Sequence, residues 1–143
     1  MKVDRVFLDT NVLISGLIFR EGNEAAVLEK AGLGLVEIVL STRVISEARN
    51  VFADKFPQRA QVLEDFLSGA RYEVSPEPGG ADLEVAARLV RDPDDVSILA
   101  SILLTGPDAA LTGDKHLLTD EIKAVAPVCR CADYLGQRSE PDD

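Results

Sequence analysis

An α/β protein, with a parallel sheet covered by helices, is the fold class the sequence predicts. Val3 and the run Val6-Phe7-Leu8 are wholly apolar, as strands buried on both faces are. Similar runs at Leu35 to Leu40 and Asp108 to Thr112 are separated by segments whose apolar residues recur at helical spacing. Two of these strands lead directly into an aspartate, Asp9 and Asp114, at the carboxyl end where open α/β sheets carry their working groups.

After Asp9, the residues Val12, Leu13, Ile14, Leu17 and Ile18 predict a helix capped by Thr10 or Asn11. A second helix is expected from Glu24 to Ala31, stopped by Gly32 and Gly34, and Leu35 to Leu40 is the next strand. Ser41 or Thr42 caps a helix whose Val44, Ile45, Ala48, Val51 and Phe52 form an apolar stripe. Glu47 falls at the edge of that stripe, so helical geometry turns its carboxylate toward the core side. Pairing with Arg43 or Arg49 is its structural alternative.

Pro57 starts another helix, with Val62, Leu63, Phe66 and Leu67 on one side and Gly69 closing it, and Arg71 to Val74 reads as a short strand. The stretch from Ser75 to Gly80 is a loop, but not a domain linker, because neither side of it holds a complete sheet. Asp82 to Val90 returns to helix, with Leu83, Ala86, Ala87 and Val90 aligned. Asp92-Pro93-Asp94-Asp95 then opens a helix, Val96 to Leu104, apolar nearly all round and therefore buried. Capping the helix dipole accounts for one or two of those aspartates. Asp95, on the face of Ile98 and Leu99, is drawn inward. His116 reads as a surface residue in the first turn of a short helix; Ala126 to Cys131 is a last strand and Ala132 to Leu135 a closing turn. The domain is expected to span 1–136, with 137–143 a flexible tail.

With 143 residues, 46% of them hydrophobic and 28% charged, the chain can bury a core and is not disordered by composition. The N-terminal apolar run is broken by Asp9 and Asn11 and lacks a small-residue cleavage site, so neither a signal peptide nor a membrane span is expected there, and the protein is expected to stay in the cytoplasm. Cys129 and Cys131, two positions apart on one expected strand, lack disulfide geometry and read as small hydrophobes. A net charge of −10, from 25 acids and 15 bases, excludes a general nucleic-acid binder that works through clustered Lys and Arg. It does not exclude a nuclease, whose phosphate-handling site is itself acidic when it works through divalent cations.

Asp9, Glu47, Asp95 and Asp114 are each directed by their own segment to the carboxyl edge of one sheet. At a separation of about 6 Å and an effective dielectric near 20, each charged pair costs roughly 3 kcal/mol before screening. Stability does not explain such an arrangement. Oxygen-only clusters suit Mg2+ or Mn2+, and nothing in the sequence supplies the His and Cys set of a zinc site. Arg43 and Lys115, close in sequence to these acids, are expected to hold a nucleic-acid backbone.

The four segments, Phe7-Leu8-Asp9-Thr10-Asn11, Ser41 to Ser46-Glu47, Asp92-Pro93-Asp94-Asp95 with Ile98-Leu99-Ala100, and Leu111-Thr112-Gly113-Asp114-Lys115, resemble in order and spacing those of PIN-domain ribonucleases. The prokaryotic PIN proteins of toxin–antitoxin pairs are the nearest in pattern, and the resemblance runs from Val6 to about Leu135. It implies a three-layer α/β/α PIN-like fold with a central parallel sheet, and metal-dependent cleavage of single-stranded or structured RNA. Asp9, Glu47, Asp95 and Asp114 would bind the metal, with Asn11 and Thr112 as polar supports. It further implies an antitoxin protein as partner and a homodimer.

Two other enzyme classes fit less well. A haloacid-dehalogenase-like phosphatase needs a second aspartate two residues after the first, where this chain has Asn11. A phosphoacceptor receiver domain brings paired acids before its first helix and a phosphoacceptor at the end of its third strand, and neither is present. A PIN-like module that binds RNA or a partner without cleaving it is the non-enzymatic alternative.

Overall fold

Where an apolar run meets an acid, the backbone changes from strand to helix. β1 (Asp4–Leu8) ends one residue before Asp9, and α1 (Thr10–Ile18) begins one residue after it. The computed structural model describes residues 2–139. Asp9 itself, not Thr10 or Asn11, caps α1: its backbone is still extended and its carboxylate accepts the Thr10 N–H. An acceptor one residue earlier than expected reaches the helix's first free donor, and its charge faces the positive end of the dipole.

α2 (Asn23–Gly32), β2 (Val36–Ser41) and α3 (Thr42–Lys55) follow, with Ser41 Oγ accepting the Val44 N–H at 3.0 Å as the cap of α3. Val44, Ala48 and Phe52 are the buried stripe of that helix. Past a single 3-10 turn at Pro57–Arg59 come α4 (Ala60–Gly69) and β3 (Tyr72–Ser75). α5 (Gly80–Ala87) is shorter than its apolar spacing predicts: Ala86 is buried, Leu83 and Ala87 are exposed, and Val90 lies beyond its end. It packs chiefly on α6 (Pro93–Thr105) at the margin of the molecule, so one turn's width of apolar surface is enough.

Asp92 caps α6 through its side chain, Pro93 takes the first helical position, and Gly106, at φ 55°, closes it in a left-handed turn that favours glycine. β4 (Ala109–Leu111), α7 (Asp120–Lys123), β5 (Val128–Cys129) and α8 (Cys131–Ser139) complete the chain. His116 stands in a turn, not in a helix, and α7 is a four-residue element that carries no periodic signal. α8 carries on past Gln137 to Ser139; the rest of the expected tail, 140–143, lies outside the described residues. The cysteines do not share a strand, since Cys129 ends β5 and Cys131 opens α8. Both are free thiols, and burial pushes that of Cys131 up to about 12, which leaves it a small hydrophobe.

All five strands are parallel, in the order β3-β2-β1-β4-β5, and helices flank the sheet in the expected α/β/α layering. Phe7, Leu8, Ile38, Leu40, Leu99 and Leu111 are fully buried between sheet and helices, each contributing about 1.5–3 kcal/mol of hydrophobic stabilisation. Among the described residues no helix is long and apolar enough to cross a membrane.

The strand order positions the site. From β1 the chain moves outward to β2 and β3, then returns to the other side of β1 for β4 and β5. Such a reversal opens a crevice beyond the carboxyl ends of the two strands that flank it, here β1 and β4.

Candidate active site

Asp9 follows β1 and Thr112 follows β4, and the β1–β4 register, Leu8 opposite Leu111, sets them side by side. Thr112, only 2% exposed, donates its hydroxyl to Asp9 Oδ2 at 2.7 Å and accepts the Asp114 N–H on the same oxygen at 3.0 Å. Asp9 Oδ1 accepts the Thr10 N–H at 2.7 Å. One hydroxyl therefore fixes both strand-end aspartates, and Asp114 in turn accepts the His116 N–H at 2.8 Å. The polar support expected of Thr112 has this geometric form.

Asp9, Glu47 and Asp95 each carry the influence of a neighbouring acid. Burial holds Asp9 above the ordinary carboxylate range, the Thr112 and Thr10 hydrogen bonds pull it back, and the charge of Asp114 pushes it up again. Glu47, from the second turn of α3, is raised by burial, lowered by Arg43 and raised by Asp9. Asp95, in the first turn of α6, is pushed up to about 6, by burial first, then by the charge and shared hydrogen bond of Asp114, then by Asp92 and Asp9. Asp9 and Glu47 come from the first half of the chain and Asp95 and Asp114 from the second, and Asp9 and Asp114 meet at the carboxyl ends of β1 and β4.

The remaining candidates divide. Arg43 joins the cluster as an ion-pair partner: its Nε lies 3.6 Å from Glu47 Oε1 and its Nη2 contacts Asp94 Oδ1. Lys115 is exposed, and its side chain makes no ion pair among the described residues. Asn11 is exposed on α1, beside the site but hydrogen-bonded to none of the acids. Two participants escaped the sequence reading. Asp94 anchors Arg43, and the Thr10 hydroxyl is buried beside Glu47, favouring its charged form while falling outside ordinary hydrogen-bond geometry with any partner. No sequence signal marks Thr10, whose neighbour Glu47 is brought to it only by the packing of α3 on α1.

The donor set fits a hard, hydrated cation. It consists of carboxylate oxygens with one unpartnered buried hydroxyl, and among the described residues Arg43 is the cation paired with it. Among the described residues no three His, Cys, Asp or Glu side chains draw close enough to enclose an ion as a complete set. Mg2+ does not need one, because it commonly keeps several waters and takes only one or two carboxylates.

Solved structures with the same fold include FitAcB from Neisseria gonorrhoeae, at TM-score 0.63 and 20% identity over 89% of this chain and 98% of that one. VapBC2 from Rickettsia felis, bound to a DNA fragment from their promoter, aligns at TM-score 0.62 and 16% identity over 88% of this chain and 98% of that one. VapC20 from Mycobacterium tuberculosis, a toxin that cleaves the sarcin–ricin loop, aligns at 0.54 and 18% identity over 76% and 89%. No curated protein matches the chain at a significant level. The model of the PIN domain matches residues 5–116, a span that holds all of β1 but its first residue, β4 and all four acids, and the chain therefore belongs to the PIN domain family.

Proposed function

We propose that the chain is a divalent-metal-dependent endoribonuclease, using Mg2+ or Mn2+, and the toxin of a toxin–antitoxin pair. The observation that carries the first part is the geometry of the β1–β4 crevice, where the Thr112 hydroxyl ties the Asp9 carboxylate to the Asp114 backbone and the charge of Asp9 reaches both Glu47 and Asp95. Family membership supports the nuclease class, and the likeness to VapC20, a toxin that cleaves RNA, supports the toxin role. The partners are an RNA substrate, an antitoxin protein and a second copy of the chain, and the setting is the cytoplasm.

Asp9, Glu47, Asp95 and Asp114 would hold the cation. What a bound divalent cation supplies is neutralisation of phosphate charge and acidification of water for attack on phosphorus. Thr112 holds Asp9 and the Asp114 backbone at a fixed separation, so that the two strand-end carboxylates are preorganised. Arg43 turns Glu47 toward the crevice, and Asn11 and Lys115 stand at its rim, where Lys115 meets the RNA backbone.

Asp9→Asn and Asp95→Asn should each lower RNA cleavage by at least a hundredfold, and EDTA should abolish it. Cleavage by both variants at the wild-type rate in metal-free buffer would overturn the proposal. RNA binding that survives while no metal restores cleavage would favour the non-catalytic module instead.

A further inference from the structure

Beside Asp95 lies a cleft of about 370 Å3 for which the acid cluster has no use. Leu89, Val90 and Arg91, between α5 and α6, form one wall; Asp92, the cap of α6, Asp95 in its first turn, His116 of the turn after β4 and Thr119, the cap of α7, form the others. The volume falls within the range of small-molecule sites, about 300–1,000 Å3, and an apolar floor with a few polar groups is their usual make-up. Arg91 and His116 are exposed, and neither side chain makes an ion pair among the described residues. In a chain of net charge −10, an uncommitted guanidinium and imidazole over an apolar floor are a local exception.

Both groups are planar, and planar Arg and aromatic side chains are what the splayed bases of single-stranded RNA stack on. A phosphate would be repelled by Asp92 and Asp95, so the base, not the backbone, suits the cleft. Asp92 uses Oδ1 to accept the Asp94 N–H at 2.8 Å, and its Oδ2 has no hydrogen-bond partner among the described residues. A carboxylate at a base edge accepts from an exocyclic amine, as it does from cytosine.

We propose that this cleft is a nucleoside subsite, which takes the base next to the phosphodiester at the acid cluster. Leu89 and Val90 lie under the base, Arg91 and His116 stack against it, and Asp92 accepts from its amino group, so adenine and cytosine are taken ahead of uracil. The identity of the neighbouring phosphodiester rests on the nuclease reading; the chemistry of the cleft does not.

The full chain, labelled with 15N and kept in EDTA, is titrated with adenosine, cytidine and uridine and followed by NMR. Adenosine and cytidine should move the amides of Val90, Arg91 and His116, with uridine binding at least threefold more weakly. Arg91→Ala and His116→Ala should each weaken adenosine binding at least fivefold while leaving the rest of the spectrum in place. Absence of binding, binding elsewhere, or equal binding of all three nucleosides overturns the proposal. RNA cleavage by the wild type is assayed separately. Nucleoside binding at the cleft without cleavage would sink the nuclease reading and keep the subsite, whereas cleavage without nucleoside binding would sink the subsite alone.

Discussion

Burial and the Asp114 carboxylate raise Asp95 from 3.8 to about 6, which gives the metal-free protein a definite dependence on pH. An acid with a raised folded pKa stabilises the fold fully only below its unfolded value, and that contribution is lost as pH climbs through the folded one. Between about pH 4 and 6, therefore, stability should fall, and above 6 the Asp95 charge opposes folding. In EDTA at pH 7.5, Asp95→Asn should melt a few degrees above wild type, by roughly 1 kcal/mol once solvent screening of this partly exposed group is allowed for. At pH 4 the two should melt together. Melts that differ by the same amount at both pH values would show that the charge is not the cause. Asp9→Asn should gain less, because two hydrogen bonds already support the Asp9 carboxylate. Thr112→Val has the opposite expectation. It takes the donor from Asp9 and leaves the Asp114 N–H unpaired, a loss of about 1–3 kcal/mol by thermal melt, with Thr112→Ser restoring most of it.

At the scale of elements, α1 and α2 meet at Gly16. A Cβ there would lie 2.6 Å from Leu28 Cδ1 and 3.1 Å from the Glu24 carbonyl oxygen. Leu28 can turn away, but the Glu24 backbone cannot without moving α2, so Gly16→Ala should cost about 1–3 kcal/mol in chemical denaturation despite alanine's better helix propensity. An unchanged or raised midpoint would mean that α2 slides freely. The packing of α3 also bears on the proposed RNA binding. Arg43 is committed to Glu47 and Asp94, whereas Lys115 is not. Lys115→Ala should flatten the log–log salt dependence of single-strand binding by about 0.7, and Arg43→Ala by less. Equal slopes for wild type and Lys115→Ala would place the RNA path elsewhere.

On the scale of the whole molecule, a cation that binds the native crevice and not the unfolded chain stabilises by mass action, by about 2.7 kcal/mol at a hundred times its Kd. Millimolar Mg2+ or Mn2+ should raise the melting temperature of the wild type and do much less for Asp95→Asn; a wild type indifferent to both ions would remove the metal site. The same scale shows what a sequence can carry. Sheet strands, the cap of α3 at Ser41 or Thr42 and the buried stripe of that helix were legible because each depends on residues a few positions apart. The cap of α1 was misplaced by one residue because Asp9, read from the sequence only as a candidate site acid, also caps the helix. α7 has too few residues for a period, and the burial of α5 depends on how little of the molecule covers it. Asp94 acquires its partner Arg43, and the Thr10 hydroxyl its neighbour Glu47, only when distant helices pack, and no local pattern encodes that.

The loop between β3 and α5 cuts the sheet along a single seam. Strands β1, β2 and β3 precede it and β4 and β5 follow it, with the β1–β4 ladder the one strand pairing across the divide. Asp9 and Glu47 lie on the first side, Asp95 and Asp114 on the second. Cut in that loop, the chain gives pieces 1–77 and 78–143, each with two of the four candidate acids and one strand of the β1–β4 pair. Mixed together, they should zip along that pair and recover ribonuclease activity that neither shows alone, with Thr112→Val in the second piece weakening the recovery. Activity in one unmixed piece would mean that two acids suffice.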